Sequence, residues 1–490
     1  MKKHTFFLLA VLAAMLILSS CGEETEQTPT PDVPVNEPAE EITEAKKYID
    51  DVPEDLRYDG QEVRFLVNQQ YGRHDLTGDN SGDIVFDAVY NRNLYTEDRL
   101  NVKIVSESSE QSHAELLEKV RQTILANPDP YHVYLARGPE AAALSLDGYL
   151  LSTNELPYIN IDAPWWNKNY TQNMAINSKN LEYLIGDLNM SVFMCSNAVF
   201  FNKNTFNDRF GDYEEKLYQT VFDGKWTYDV FMKYVEESYE DLNGNGQVDE
   251  NDHFGIVYLD YAQDWYISSA GITFMGRDDN GFPSLQLFND NTVKFCEYLQ
   301  TLFSTPQYGW CFKGEQLDMG NMFKSRNTLF LPGRFTYVDG NLRDMEDPYG
   351  VLPYPKVTED MEYMAASGHS GNFIAVPGNN PEPEMTSAVL EVMTAESYKT
   401  VFPTYYETAL KIKYTDGGVD AEMIDLVQDC MNFYVTSCVD INGTRIGTIL
   451  QDVVMTNQEF ASTYNAQIGQ KEALLKTLIE KYSESHDIGN

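Results

Sequence analysis

Asp241, Asn243, Asn245, Asp249 and Asp252 fall at positions 1, 3, 5, 9 and 12 of the stretch DLNGNGQVDEND, with Gly246 at position 6 and Gln247 at position 7. Oxygen donors at this spacing, with a glycine where the chain turns sharply, are what a hard divalent cation such as Ca²⁺ takes up. Two departures stand out. Position 12 is Asp252, shorter than the Glu that chelates with both oxygens, and His253 to Tyr258 reads as extended chain rather than a second helix. The spacing therefore predicts an EF-hand-like loop without its second helix, carrying a structural Ca²⁺ of modest affinity. The alternative is a plain Asx-rich turn.

Other chemistry finds less support. The nearest thing to a nucleophile elbow is Gly368-His369-Ser370-Gly371, and Asn372 in the fifth position breaks the G-x-S-x-G pattern. The chain holds no HExxH, P-loop or GxGxxG sequence, and its seven histidines are dispersed. Beyond Cys21, the cysteines Cys195, Cys296, Cys311, Cys430 and Cys438 are odd in number and have no CxxC spacing. They make neither a zinc site nor a disulfide framework, and we read them as buried thiols. Carboxylates are numerous enough for a glycosidase-like pair to arise by chance. No catalytic residue and no catalytic cofactor is expected.

The ends of the chain decide where it works. Lys2, Lys3 and His4 precede an apolar run from Phe6 to Leu18, which closes on Ser19, Ser20 and Cys21. A short apolar stretch after a basic start is a secretory signal rather than a membrane span. Its end resembles the lipobox of bacterial lipoproteins, in which the cysteine takes a diacylglycerol and becomes the first residue of the mature chain. Two or three acyl chains anchor stably where one would not. Residues 1–20 are thus read as signal peptide and 21–58 as a disordered, acidic, Pro-rich tether. The protein is expected outside the cytoplasm, lipid-anchored to the cell membrane.

The formal charge is −41. From Gly22 to Tyr58 the tether has 12 acidic and 3 basic residues, which account for −9, so most of the charge coats the folded body. Such a surface repels phosphate backbones, and no basic stripe offsets it, so nucleic acid is excluded as a partner.

The elements alternate. Gln61 to Asn68 reads as a half-buried strand, Ile84 to Arg99 as a helix, Val102 to Val105 as a strand, His113 to Leu125 as a helix and His132 to Ala136 as a strand. This order argues for an open sheet of parallel strands. Longer helices and aromatic loops follow up to Arg334. Strand-like segments return at Tyr349 to Tyr354 and Gly371 to Val376, and helices then run to Ser485. A chain that leaves one lobe, builds another and comes back suits an α/β clamp whose crossovers form a hinge. The expected lobes are 59–186 plus 352–396, and 187–351 plus 397–486.

Several stretches resemble, in order, the solute-binding proteins of carbohydrate ABC importers, the maltose-binding-protein-like group. They are DAVYNRNLYTEDRLNVKIV, DAPWWN, YLIGDLN, FFNKNTF, GKWTYDVF, DLNGNGQVDENDHFGI and YGVLPYPK. The resemblance implies a two-lobed periplasmic-binding-protein-like clamp with mixed sheets flanked by helices. It also implies a sugar or oligosaccharide ligand, ABC permease subunits as partners, and a monomer. A peptide or other non-sugar solute is the main alternative, followed by a glycan-active enzyme or a glycan-binding adhesin. Residues at strand ends and lobe junctions are the ligand-binding candidates: Asn68, Arg137, Asp187, Asn189, Trp265, Arg334 and His369. Trp265 falls where relatives offer a stacking ring, and Arg334 where they aim a side chain into the cleft. Plainer roles are read for Trp165 and Trp166, as packing, and for Thr227 and Trp226, as the cap and staple of a helix to about Tyr239.

Overall fold

Two sheets organise the chain. The computed structural model describes residues 48–109, 112–126, 131–260, 262–272, 275–313, 316–366, 370–405, 418–432, 440–441, 444–445 and 448–487. Strands β1 (Gln61–Asn68), β2 (Val102–Ser109), β3 (Val133–Arg137), β4 (Tyr183–Leu184) and β13 (Asn372–Ala375) form the first sheet, in the order β2-β1-β3-β13-β4. The second sheet has the order β11-β5-β10-β6-β9, from β5 (Asn197–Asn202), β6 (Phe254–Leu259), β9 (Gly309–Phe312), β10 (Thr328–Arg334) and β11 (Tyr349–Leu352). The chain leaves the first sheet after β4, enters the second at β5, and is back in the first at β13 after β11. Cys21 and His369 lie outside the described residues.

β1 is buried on both faces. Val63, Phe65 and Val67 join one apolar cluster while Leu66 joins the other. The sequence suggested a half-buried strand, but β1 runs parallel to both β2 and β3, and helices cover both faces of such a sheet. Around it stand α1 (Gln69–Asp75), α2 (Ile84–Leu100), α3 (His113–Ala126) and α4 (Gly138–Leu146). The later helix α10 (Pro383–Glu396) is buried almost throughout its length, so it reads as apolar all round rather than amphipathic.

The expectation of parallel strands holds only for β1, β2 and β3. β13 pairs antiparallel with β3 and with β4. It arrives from the second sheet rather than through a βαβ crossover, so nothing constrains it to run parallel. The second sheet is mixed for the same reason: β5 is antiparallel to β10 and β11, whereas β6 is parallel to β9 and β10.

The last part of the segment expected to be tether, Tyr48 to Tyr58, lies within the described structure. Tyr48 to Tyr58 pack on the first lobe, where Asp50 takes Arg99 in a buried two-pronged ion pair and Val52 is buried. A segment too poor in apolar residues to fold alone is held here by one desolvated charge pair and a cation–π contact from Arg99 to Tyr48 at 3.7 Å.

Local rules hold where their partners are near in sequence. Asn202 ends β5 and caps α7 (Lys203–Phe210), accepting from the Thr205 N–H at 2.9 Å. In α8 (Tyr228–Glu237), Trp226 precedes the cap residue and packs edge-on against Phe231, with centroids 5.8 Å apart, as the staple requires. Thr227 occupies the cap position, yet its hydroxyl makes no capping bond. Instead the Tyr228 N–H donates to the carbonyl of Lys356 at 2.8 Å.

Candidate functional site

The cleft is built from the ends of β4 and from α5 (Lys168–Met174) on one side. On the other are residues around β12 (Ala365–Ala366) and β14 (Met431–Asn432), a parallel pair of which β14 directly follows α11 (Gly418–Asp429) and β12 packs near β5. It holds two cavities, of about 660 and 300 Å³, that share Asn167, Asn169, Asp429 and Met431 as walls. Asn291, Glu362 and Asn432 add polar groups to the larger one. Trp166, Asp187, Asn189, Phe193 and Phe402 line the smaller.

Trp165 and Trp166 are fixed from behind. Both indole N–H groups donate to the buried Glu391 of α10, at 3.0 and 2.8 Å, and the Asn160 N–H donates to the same carboxylate at 3.2 Å. Burial outweighs these three donors and raises the Glu391 carboxyl to about 7. The Trp166 ring can lie where it does because residue 186 is glycine. A Cβ there would sit 2.6 Å from Trp166 Cε3 and 2.8 Å from the Trp165 carbonyl.

Past Gly186 the chain turns Asp187 and Asn189 toward the smaller cavity. The backbone N–H of Asp187 donates to the Trp165 carbonyl at 2.9 Å, and that of Asn189 to the Gly186 carbonyl at 2.9 Å. Their side chains are left over. Burial alone raises the Asp187 carboxyl well above the usual carboxylate range. Asn189 is buried, and neither atom of its side-chain amide has a hydrogen-bond partner. It stands at the N-cap of α6 (Met190–Met194), which is anchored below by Asp75: that carboxylate accepts from the Ser191 N–H at 2.8 Å, the Ser191 hydroxyl at 2.7 Å and the Asn372 amide at 2.7 Å.

The helix α5 is held at both ends. Asn167 caps its start, accepting from the Tyr170 N–H at 3.0 Å. Arg277, on β7 (Met275–Arg277) of a hairpin with β8 (Pro283–Leu285), donates to the carbonyls of Gln172, Asn173, Ala175 and Ile176 at its end. Asn173 then reaches Asn432 of β14 at 3.0 Å, from one wall of the cleft to the other.

The other candidates are distributed unevenly. Arg334, last in β10, donates to the Ser370 hydroxyl at 3.3 Å, just before β13, so it joins the second sheet to the first. Its guanidinium lies 5.9 Å from the ring of Trp265, on α9 (Gln263–Ser268), and that ring is mostly buried with an edge contact to Tyr337. Asn68 and Arg137 are brought together elsewhere, at the ends of β1 and β3, beside a space of about 10 Å³. Asn68 caps α1 by accepting from the Gln70 N–H and lies 3.2 Å from His113 Nδ1, while Arg137 is paired bidentately with Glu140. The structure therefore unites Asp187 with Asn189 and Trp265 with Arg334, and sets Asn68 and Arg137 apart from both cavities. Trp166, Asn167, Asn169 and Asp429 were not among the candidates. The polar Asn167, directly after an aromatic pair and at a helix start, was the signal that could have pointed to them.

The 241–252 loop closes largely on itself. Asp241 accepts from the N–H groups of Gly244 and Gly246 at 2.7 and 2.8 Å, and Asp249 takes the side-chain amides of Asn243, Asn245 and Asn251. The Asn251 backbone N–H, at 2.9 Å, and then these amides hold the Asp249 carboxyl down to about 2. Asp252 is buried, with Oδ2 bonded to Tyr239 and the Asp249 N–H and Oδ1 without a partner. Strand β6 follows, as expected, in place of a second helix. Among the described residues no three His, Cys, Asp or Glu side chains converge as a metal site.

No family model matches this chain, and no curated protein matches it. Solved structures do. UgpB from Mycobacterium tuberculosis, in complex with glycerophosphocholine, is similar with a TM-score of 0.54 at 12% identity, over 86% of this chain and 100% of that one. The chain has the same two-lobed α/β fold. The galacto-N-biose-/lacto-N-biose I-binding protein of an ABC transporter from Bifidobacterium longum, in complex with lacto-N-biose, also has a TM-score of 0.54, at 9% identity over 86% and 98% of the two chains. An extracellular solute-binding protein from Staphylococcus aureus, in complex with maltose, has a TM-score of 0.51 at 11% identity over 88% and 99%. The cavities lie at the crevice beyond strand ends where open α/β sheets take ligands.

Proposed function

We propose that this chain is a lipid-anchored extracellular solute-binding protein that captures a sugar or oligosaccharide between its lobes and delivers it to the permease subunits of an ABC transporter. The observation that carries the reading is the smaller cavity, where the half-buried Asp187 carboxylate and the buried, unpartnered Asn189 amide stand beside the fixed Trp166 ring. Buried polar groups are paired unless something else is to pair them. Hydroxyl groups on a ligand with apolar C–H faces supply both the hydrogen bonds and the stacking surface. Asp187, Asn189, Trp166, Asn167 and Asn169 form the first wall of the site in this reading, and Asp429 and Asn432 the second, with Arg334 and Trp265 acting where the sheets meet.

The lobes are assigned as 59–186 plus 352–396 and 187–351 plus 397–486, with Cys21 as the lipid-bearing residue. No helix among the described residues is long and apolar enough to cross a membrane. The loop ligands Asp241, Asn243, Asn245, Gln247, Asp249 and Asp252 hold a structural Ca²⁺. The unpartnered Asp252 Oδ1 supports that assignment, because a buried carboxylate oxygen is costly without a cation or donor.

Calorimetry against neutral mono- and oligosaccharides tests the function. A saturable ligand, recovered chemically intact, is expected, and Trp265→Ala should weaken it by about 1–3 kcal/mol if its ring meets the sugar. Recovery of a cleaved sugar would assign an enzyme instead. Binding of a peptide and no sugar would leave an importer component with a different solute.

A further inference from the structure

We propose that the Asp187 end of the cleft is a subsite for a protonated amino group, so that the solute is an amino sugar or an oligosaccharide containing one. The inference rests on the solute-clamp reading and narrows its ligand.

The argument starts from charge. Three carboxylates line the two cavities: Asp187, Asp429 and Glu362. Among the described residues the single cationic group lining them is Lys168, and it is tied to Asp162 at 2.5 Å on the exposed side of its helix. Arg334 is turned to Ser370 and Trp265, and Arg277 is spent on the backbone of α5. The cleft therefore carries a surplus of negative charge.

Asp187 concentrates that surplus. It has no hydrogen-bond or ionic partner among the described residues, and burial is the one influence acting on its carboxyl. A carboxylate drawn partly out of water without a partner favours a ligand that compensates its charge. Neutral hydroxyls can donate to it but leave its charge uncompensated. An ammonium group supplies both three N–H donors and a positive charge. The neighbouring walls fit the same group. Trp166, Phe193 and Phe402 present aromatic rings to this cavity, and such faces attract a desolvated cation. The unpartnered carbonyl oxygen of the Asn189 amide is a further acceptor, and its N–H₂ group can serve a neighbouring hydroxyl. The same field rejects anions: a uronic acid or a phosphorylated sugar would bring like charge against Asp187 and Asp429.

The test compares three trimers of one β-1,4-linked backbone by calorimetry on the mature full-length protein, at a pH where a sugar amine is protonated. They carry hydroxyl, amino or acetamido groups at C2. We expect the amino trimer to bind about tenfold or more tightly than the other two. Asp187→Asn should abolish that preference, the ratio of the amino to the hydroxyl trimer's affinity falling to about one. The comparison on the unmodified protein decides the matter even if the variant folds poorly. Equal or tighter binding of the hydroxyl or acetamido trimer overturns the inference and leaves the sugar clamp intact. Absence of binding by all three trimers and by every neutral sugar tried overturns both.

Discussion

At the scale of single residues, the cleft depends on a carboxyl far behind it. Glu391 lies 225 residues from Trp166 in sequence and accepts from both indoles of the pair. Its carboxyl is raised from an ordinary 4.5 to about 7, and that of Asp75 from 3.8 to about 6, burial being the main cause in each case. A carboxyl whose folded value exceeds its unfolded value favours the folded state while protonated. That contribution is complete below the unfolded value and is lost as pH rises through the folded one. Between about pH 4.5 and 7 the two groups act in the same direction, and the net charge of −41 adds to it, since protonation relieves self-repulsion. The melting midpoint should therefore fall as pH rises across this window. Glu391→Gln should flatten the dependence and lower stability by about 1–3 kcal/mol at the acidic end, because one indole N–H loses its acceptor. A midpoint that rises from pH 5 to 7 would contradict this. The tryptophan pair itself was legible in sequence as packing. Its partner was not, since nothing local in a sequence says which distant carboxylate two indoles will meet. The rule that ligands gather at strand ends selected Asp187 and Asn189, which line the smaller cavity, and equally Asn68 and Arg137, which pair with His113 and Glu140 away from it.

At the scale of elements, Gly186 lets strand β4 pass close under Trp166. Gly186→Ala would force the ring or the Trp165 carbonyl to move, because a Cβ would meet them at 2.6 and 2.8 Å. The expected cost is about 1–3 kcal/mol of stability, together with weaker ligand binding, measured by denaturant unfolding and by titration of the variant. Unchanged values in both would show that the wall is softer than its packing indicates. The 241–252 loop makes a separate prediction. A cation that binds only the folded chain adds RT ln(1 + [L]/Kd), about 1 kcal/mol at millimolar Ca²⁺ for the modest affinities of extracellular sites. Melting with Ca²⁺ should exceed melting with chelator, and Asp241→Ala should erase the difference. Three equal midpoints would remove the metal. Elements defined by local signals were readable in advance: β1 within its bounds, the staple of α8, and the strand after the loop. The antiparallel entry of β13 and the docking of Tyr48 to Tyr58 were not, because both are set by contacts with residues distant in sequence.

At the scale of the whole molecule, two sheets are joined by the passages from β4 to β5 and from β11 to β13 and by the final helix α12 (Phe460–Ser485). Near the end of that helix Tyr482 and His486 both meet Glu182, beside β4 of the first sheet, at 3.0 and 2.6 Å. A solute that touches both walls binds better when they are close, and it shifts the equilibrium only by that difference in affinity. The order of elements in the sequence was enough to suggest such a clamp. The walls of its cleft became visible only once α5 was placed opposite β14. Small-angle scattering with and without a saturating sugar tests the central claim most directly. The account predicts a smaller radius of gyration in the saturated protein, with the sugar recovered intact. A radius that does not change when a sugar is demonstrably bound between the sheets would contradict it.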